Sequence, residues 1–143
     1  ILPLYTDFYN ANQYMANRSI NLWPYTDIGS SCITWNNNFI TIDSQTSKPI
    51  KVGFPNPRGW LAYWRDGFLF VKRAMYDFDV DYYDFGSSSE CYCNHQFTEL
   101  ETLGPITTIL PGESARHDET WEIYSNFEWQ DDPNDICRFI ENM

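Results

Sequence analysis

Glu99-Leu100-Glu101 puts two carboxylates two residues apart in a stretch with strand character, "FTELETLG". On a strand, residues i and i+2 face the same way, so Glu99 and Glu101 point with Phe97 and Leu103. A carboxylate on a partly apolar face has its pKa raised by desolvation, which is what a general base near neutral pH requires. At a sheet edge the same two carboxylates would simply be solvated. Trp23, Tyr25, Trp60, Tyr63 and Trp64 are candidate platforms for a flat ligand or a sugar ring. Each is also a candidate for the core, because a chain with 18% Phe, Trp and Tyr must bury most of its rings.

Other chemistry is excluded on spacing. No Gly-rich phosphate loop and no Gly-x-Ser-x-Gly elbow occurs. Asp77, Asp79 and Asp81 are spaced like the start of a calcium loop, but Tyr82 replaces the sixth-position glycine and Ser88 the twelfth-position glutamate. A solvated face is the expectation for these three. Cys32, Cys91, Cys93 and Cys137 form no Cys-x-x-Cys pair and no zinc spacing with His95 or His117. No metal and no cofactor is expected. The cysteines are expected to be free thiols, which points, with the lack of a signal-peptide pattern, to a cytoplasmic location.

Charge narrows the ligand. The 143 residues carry a net charge of −11. Residues 1–76 hold seven Lys/Arg and four Asp/Glu; residues 77–143 hold two and sixteen. Such a chain lacks the cationic surface that binds phosphate backbones, so nucleic acid is not expected. Anionic membrane surfaces are disfavoured for the same reason, and no apolar run reaches the roughly 20 residues of a span. A sugar or another neutral small molecule fits better.

The elements that must position these residues read as short strands. "SCITWNNNFITID" places two alternating runs around Asn36–Asn38, a hairpin pattern. "GWLAYWRDGFLFVKRAMY" is a second hairpin, with Asp66-Gly67 supplying the two positive-φ positions of its turn. Its alternation sends Trp60, Ala62 and Trp64 to one face and Leu61, Tyr63 and Arg65 to the other. "KVGF" is a further strand. One long strand is expected from Glu90 to about Leu103, and a short one from Pro105 to Leu110. Pro111-Gly112 turns the chain, and "ETWEIYSNFEW" closes the strand series. "NDICRFIEN" is the one candidate helix, with Asn134 as N-cap and Ile136, Phe139 and Ile140 on one side. Residues 1–20 read as an arm or a partial first strand. The expectation is a single all-β domain over residues 1–143, an antiparallel β-sandwich with one short C-terminal helix.

The segment "FTELETLGPITTILPGESARHDETWEIY" resembles the C-terminal part of proteins with the galactose-mutarotase-like fold, and is most similar to an uncharacterised family of that superfamily. "LWPYTDI", "KVGFPNPRGWLAYWRDGFLFVKRAMY" and "YYDFGSSSECY" extend the resemblance over about residues 20–125. It implies part of a β-supersandwich that recognises carbohydrate. In aldose epimerases of this superfamily a glutamate on a late strand is the general base; Glu101, in Leu100-Glu101-Thr102, takes that position, with Glu99 beside it. Pro111-Gly112-Glu113 matches the turn that follows. The catalytic histidine of those enzymes comes from the first half of the domain, and neither His95 nor His117 lies in a matching motif.

The resemblance therefore implies a carbohydrate-binding protein. Its candidate site is Glu101 with Glu99, Trp60, Trp64, Lys51 and Lys72; Arg58 lies in a matching segment without an assigned role. The alternatives are an aldose 1-epimerase-like isomerase using Glu101 as general base, and a structural module that keeps only the fold. A half-length supersandwich would leave a sheet face uncovered, which implies self-association as a homodimer.

Overall fold

The computed structural model describes residues 1–6 and 15–143. The protein is built from antiparallel strands and one C-terminal helix. In chain order the strands are β1 (Leu2–Pro3), β2 (Asn21–Leu22), β3 (Ile33–Trp35), β4 (Phe39–Ile42), β5 (Ile50–Phe54), β6 (Trp60–Arg65), β7 (Phe68–Arg73), β8 (Ser89–Cys93), β9 (Thr98–Thr102) and β10 (Thr120–Ser125). The helix spans Pro133–Glu141. The strands form sheets ordered β1-β4-β3, β10-β7-β6 and β2-β5-β8-β9. The all-β, sandwich-like expectation holds. Part of the 1–20 arm falls on residues 7–14, which lie outside the described residues; Leu2–Pro3 is a short strand paired with β4.

Main-chain bonds join the first two sheets. Ile1 N donates to Ala62 O (2.7 Å), and Ala62 N donates back to Ile1 O (3.1 Å). The joined layer has a different partner on each face, and strand alternation decides which side chain meets which. On one face, Leu2, Ile33, Ile40 and Leu61 pack against Ile50, Val52, Phe54, Cys91 and Cys93 of the four-stranded sheet. On the other, Phe39, Trp60, Ala62, Leu69 and Val71 pack under Ile136, Cys137 and Ile140 of the helix. The alternation expected for β6 is borne out, with Leu61 in the first core and Trp60 and Ala62 in the second.

Turn chemistry sets most boundaries. Asp66 (φ 49°) and Gly67 (φ 79°) make the β6–β7 turn. Pro111-Gly112 turns as expected, with Gly112 at φ 91° and Glu113 N bonded to Leu110 O (2.9 Å). The expected long strand from Glu90 is instead a hairpin. Asn94 Oδ1 accepts from Gln96 N (2.8 Å) and Phe97 N (3.1 Å), and Asn94 N donates to Phe97 O (3.0 Å). That local network competes with the ladder and reverses the chain.

The strand expected at Pro105–Leu110 does not form. Residues 105–119 are exposed, in a long loop whose neck is tied where Thr102 meets His117 and Glu119. The helix begins one residue before the expected N-cap. Asp132, not Asn134, is the cap, its carboxylate accepting from Asn134 N (2.9 Å) with Pro133 at the first helical turn. No helix among the described residues is long and apolar enough to cross a membrane.

Ile136 is fully buried between the helix and the sheet. Ile136→Ala is expected to cost about 2–5 kcal/mol by urea unfolding, the usual range for a large-to-small core deletion.

Candidate functional site

The β8–β9 turn determines the site. Because the chain reverses at Asn94–Phe97, Glu90 of β8 lies directly opposite Glu101 of β9. On the neighbouring strand, Lys51 shares their face. Lys51 Nζ lies 2.7 Å from Glu90 Oε2 and 3.1 Å from Glu101 Oε2. Two carboxylates directly across a ladder repel each other, and the ammonium between them removes that cost.

Burial makes the cluster unusual. Glu90 is 1% exposed. The Lys51 side chain is 17% exposed and that of Glu101 31%. Glu90 Oε1 and Glu101 Oε1 are shielded from solvent and have no hydrogen-bond partner among the described residues. Burial pushes the Glu90 carboxyl up; Lys51 opposes this, and Asp84 and Glu101 add to it, leaving it at about 7 against an ordinary 4.5. Burial would lower the Lys51 ammonium, but hydrogen bonds to Glu90 and Glu101 outweigh it and hold the pKa above its ordinary value. With one ammonium for two carboxylates, a proton on Glu90 neutralises the group.

Aromatic rings flank the cluster on the same face. Lys51 Nζ sits 4.7 Å from the centroid of the Trp23 ring. Tyr25 and Tyr92 meet edge to face at 6.3 Å, and Tyr92 meets Phe97 at 5.6 Å. The 23–26 turn that carries Trp23 and Tyr25 is fastened to β5. Thr26 Oγ1 donates to Lys51 O and accepts from Lys51 N, both at 2.8 Å. Gly53 lets Trp23 come close, since a Cβ there would fall 2.6 Å from Ser87 Oγ and 3.1 Å from the Trp23 ring. Ser87 also accepts from Asn21 Nδ2 (2.8 Å), which holds the start of β2 beside the left-handed turn at Asp84 and Phe85.

Of the residues named from sequence, Lys51 and Glu101 come together here, and Glu99 lies exposed on the same face opposite Tyr92. Trp60 and Trp64 do not. Trp60 is 1% exposed beneath the helix, and Trp64 donates from Nε1 to Phe127 O (2.9 Å) while packing on Trp129. Arg58 braces the helix, donating from Nε to Glu141 Oε1 (2.6 Å) and from Nη1 to Asn38 O (2.7 Å).

Lys72 belongs to a different cluster. It bonds Glu119 Oε1 (2.9 Å), and Glu119 also accepts from Thr102 Oγ1 and from Trp121 Nε1 (3.0 Å). Partial burial works against the Glu119 carboxylate, but those hydrogen bonds from Thr102, Lys72 and Trp121 bring its pKa down to about 2. Thr102 follows Glu101 in the chain but faces the other side of β9.

Glu90 is the member that sequence reasoning missed. Its signal was present: with a turn at Asn94, the alternation Glu90–Tyr92 falls opposite Glu99–Glu101. The Asp77–Asp81 run is no strand face; Asp77 Oδ1 accepts from Asp79 N (2.9 Å) in a local turn. Among the described residues no group of His, Cys, Asp and Glu is arranged to hold a metal ion. Comparison with protein-family models, with curated proteins and with solved structures finds no match. The case for function therefore rests on the geometry of this face.

A raised folded-state pKa on Glu90 means that the folded protein binds the proton more tightly than the unfolded chain. The associated stability is present below about pH 4.5 and is lost as pH rises toward 7. Glu90→Gln is expected to remove that slope. Relative to wild type, the variant should gain up to about 3 kcal/mol between pH 4.5 and 8 in urea titrations. A constant difference across that range would contradict a shifted Glu90.

Proposed function

We propose that the outer face of the β2–β5–β8–β9 sheet binds a sugar. Glu101 and Lys51 are the hydrogen-bonding groups, and Trp23, Tyr25 and Tyr92 form the ring platform. The supporting observation is the carboxylate–ammonium–carboxylate cluster, with an unpartnered oxygen on each acid, set beside that row of rings. Sugar hydroxyls both donate and accept, so they match a surface offering fixed acceptors and one cation. Aromatic faces match the apolar side of a pyranose ring. The large acidic excess disfavours phosphate-bearing ligands. Buried free thiols at Cys91, Cys93 and Cys137 are consistent with a reducing, cytoplasmic setting.

A second reading is an aldose 1-epimerase, and one observation favours it. Such a reaction needs a base to take the proton from the anomeric hydroxyl and an acid to protonate the ring oxygen as the ring opens. His95 and His117 are not part of the cluster. Glu90, titrating at about 7 beside Glu101, is an acid matched to neutral pH. Glu101 would be the base.

Titration of the isotopically labelled protein with monosaccharides, followed by amide NMR, is expected to shift resonances around Lys51, Tyr92 and Glu101. Glu101→Gln should weaken binding about tenfold, the loss of a charge-assisted hydrogen bond. No response to any sugar would favour a purely structural module. Polarimetry of freshly dissolved glucose tests catalysis: an accelerated rate that Glu101→Gln leaves unchanged excludes Glu101 as the base.

The same reading carries a homodimer. On β6, β7 and β10 the face bearing Phe68, Trp121 and Ile123 leaves these side chains 54%, 66% and 70% exposed. β10 is moreover an edge strand, whose free main-chain groups pair antiparallel with a second copy under two-fold symmetry. Sedimentation should show a dimer at micromolar concentration that the pair Trp121→Lys and Ile123→Lys converts to monomer. A wild-type monomer under those conditions would exclude it.

A further inference from the structure

The unpartnered oxygens specify more than a generic sugar. Lys51 is bonded through Oε2 of both acids, which leaves Oε1 of each without a donor among the described residues. Glu90 is 1% exposed, so nothing from bulk water satisfies its oxygen. Buried carboxylate oxygens are ordinarily hydrogen-bonded, and an orphan on a buried acid marks a place where a donor belongs. A ligand hydroxyl would supply a hydrogen bond but no charge. Lys51 neutralises one of the two carboxylates it bridges, so with Glu90 ionised the cluster carries one negative charge in excess, and Asp84 beside Glu90 adds to that negative field. A ligand ammonium supplies three donors and the missing charge together.

The surroundings favour a cation as well. Trp23 already has one ammonium 4.7 Å from its ring centroid, and Tyr25 and Tyr92 present further rings on the same face. Aromatic faces attract cations through their negative π surface. The approach is through Glu101. Its side chain is the most exposed of the three, and its carboxyl group turns easily about its terminal bond, carrying Oε1 outward and Oε2 off Lys51, which stays paired with Glu90.

We propose that this face selects a sugar carrying a protonated amine, an aldohexosamine, whose ammonium seats on Glu101 above Glu90. The proposal rests on the sugar-binding reading and adds the charge of the ligand. Uronic acids and sugar phosphates, which bring negative charge to this cluster, are excluded by it.

The test compares glucosamine, N-acetylglucosamine and glucose by amide NMR titration at neutral pH and low ionic strength. The three share a ring, but only glucosamine carries an ammonium. Glucosamine is expected to bind about tenfold more tightly than the other two, consistent with the strength of charge-assisted hydrogen bonds. That preference should shrink as salt screens the exposed part of the cluster. Glu101→Gln, with its amide dispersion confirming the fold, should bring the three sugars to within about twofold of one another.

Equal affinities in the wild type would overturn the proposal and leave the sugar-binding reading standing. A glucosamine preference that survives Glu101→Gln would also overturn it, because overall acidity would then be the cause. No binding by any of the three would remove the sugar-binding reading itself.

Discussion

One lysine holds two opposed carboxylates together, and the outer half of the sandwich is arranged around that fact. Glu90 and Glu101 face each other across the β8–β9 ladder, where like charges destabilise pairing. The ammonium of Lys51, reaching over from β5, turns the repulsion into a bridge across three strands. Its backbone is fixed by Thr26, its charge is covered by Trp23, and the glycine at 53 leaves Trp23 room. Buried ion clusters of this kind seldom add net stability over apolar packing, because desolvation offsets the attraction. A cluster with two oxygens that no described residue satisfies is poorer still on that account, which is the physical reason to read it as a site.

The uneven charge of the sequence becomes structural here. Lys51 pairs with Glu90 and Glu101, Arg58 with Glu141, Lys72 with Glu119 and Arg73 with Glu122. Each pair joins a cation from the first half of the chain to a carboxylate from the second. The cationic half contributes β5, β6 and β7, and the acidic half supplies β8, β9, β10 and the helix that pack or pair with them. Among the described residues, the remaining acids outnumber their partners and stay on the surface.

Much of the fold was legible because its turns carry their own chemistry. Asp66-Gly67, Asn36–Asn38 and Pro111-Gly112 specify reversals by backbone preference alone, and each sits where the sequence places it. The Asn94 turn was not legible as one, because its residues also fit an alternating strand and the side-chain network that decides it is visible only in three dimensions. That error concealed Glu90. The helix cap shifted for a related reason, since Asp132 and Asn134 are both good caps and Pro133 settles between them. Trp60 and Trp64 were misplaced because strand alternation shows that residues share a face without showing what covers it. Here the cover is the helix over Trp60 and the segment of Phe127 and Trp129 over Trp64. Glu101 and Lys51 were legible as individuals, but their meeting depends on β5 and β9 flanking β8, a topology that no local pattern encodes.

The loop between β9 and β10 has a consequence of a different kind. Its neck is pinned where Thr102 meets His117 and Glu119, while residues 105–119 contribute little to either core. Chain added near Pro111-Gly112 would lengthen a tether whose two ends are already held, and closure entropy grows only with the logarithm of its length. The protein thus contains a natural port for a grafted tag, reporter or second domain, on an element separate from the cluster at Lys51.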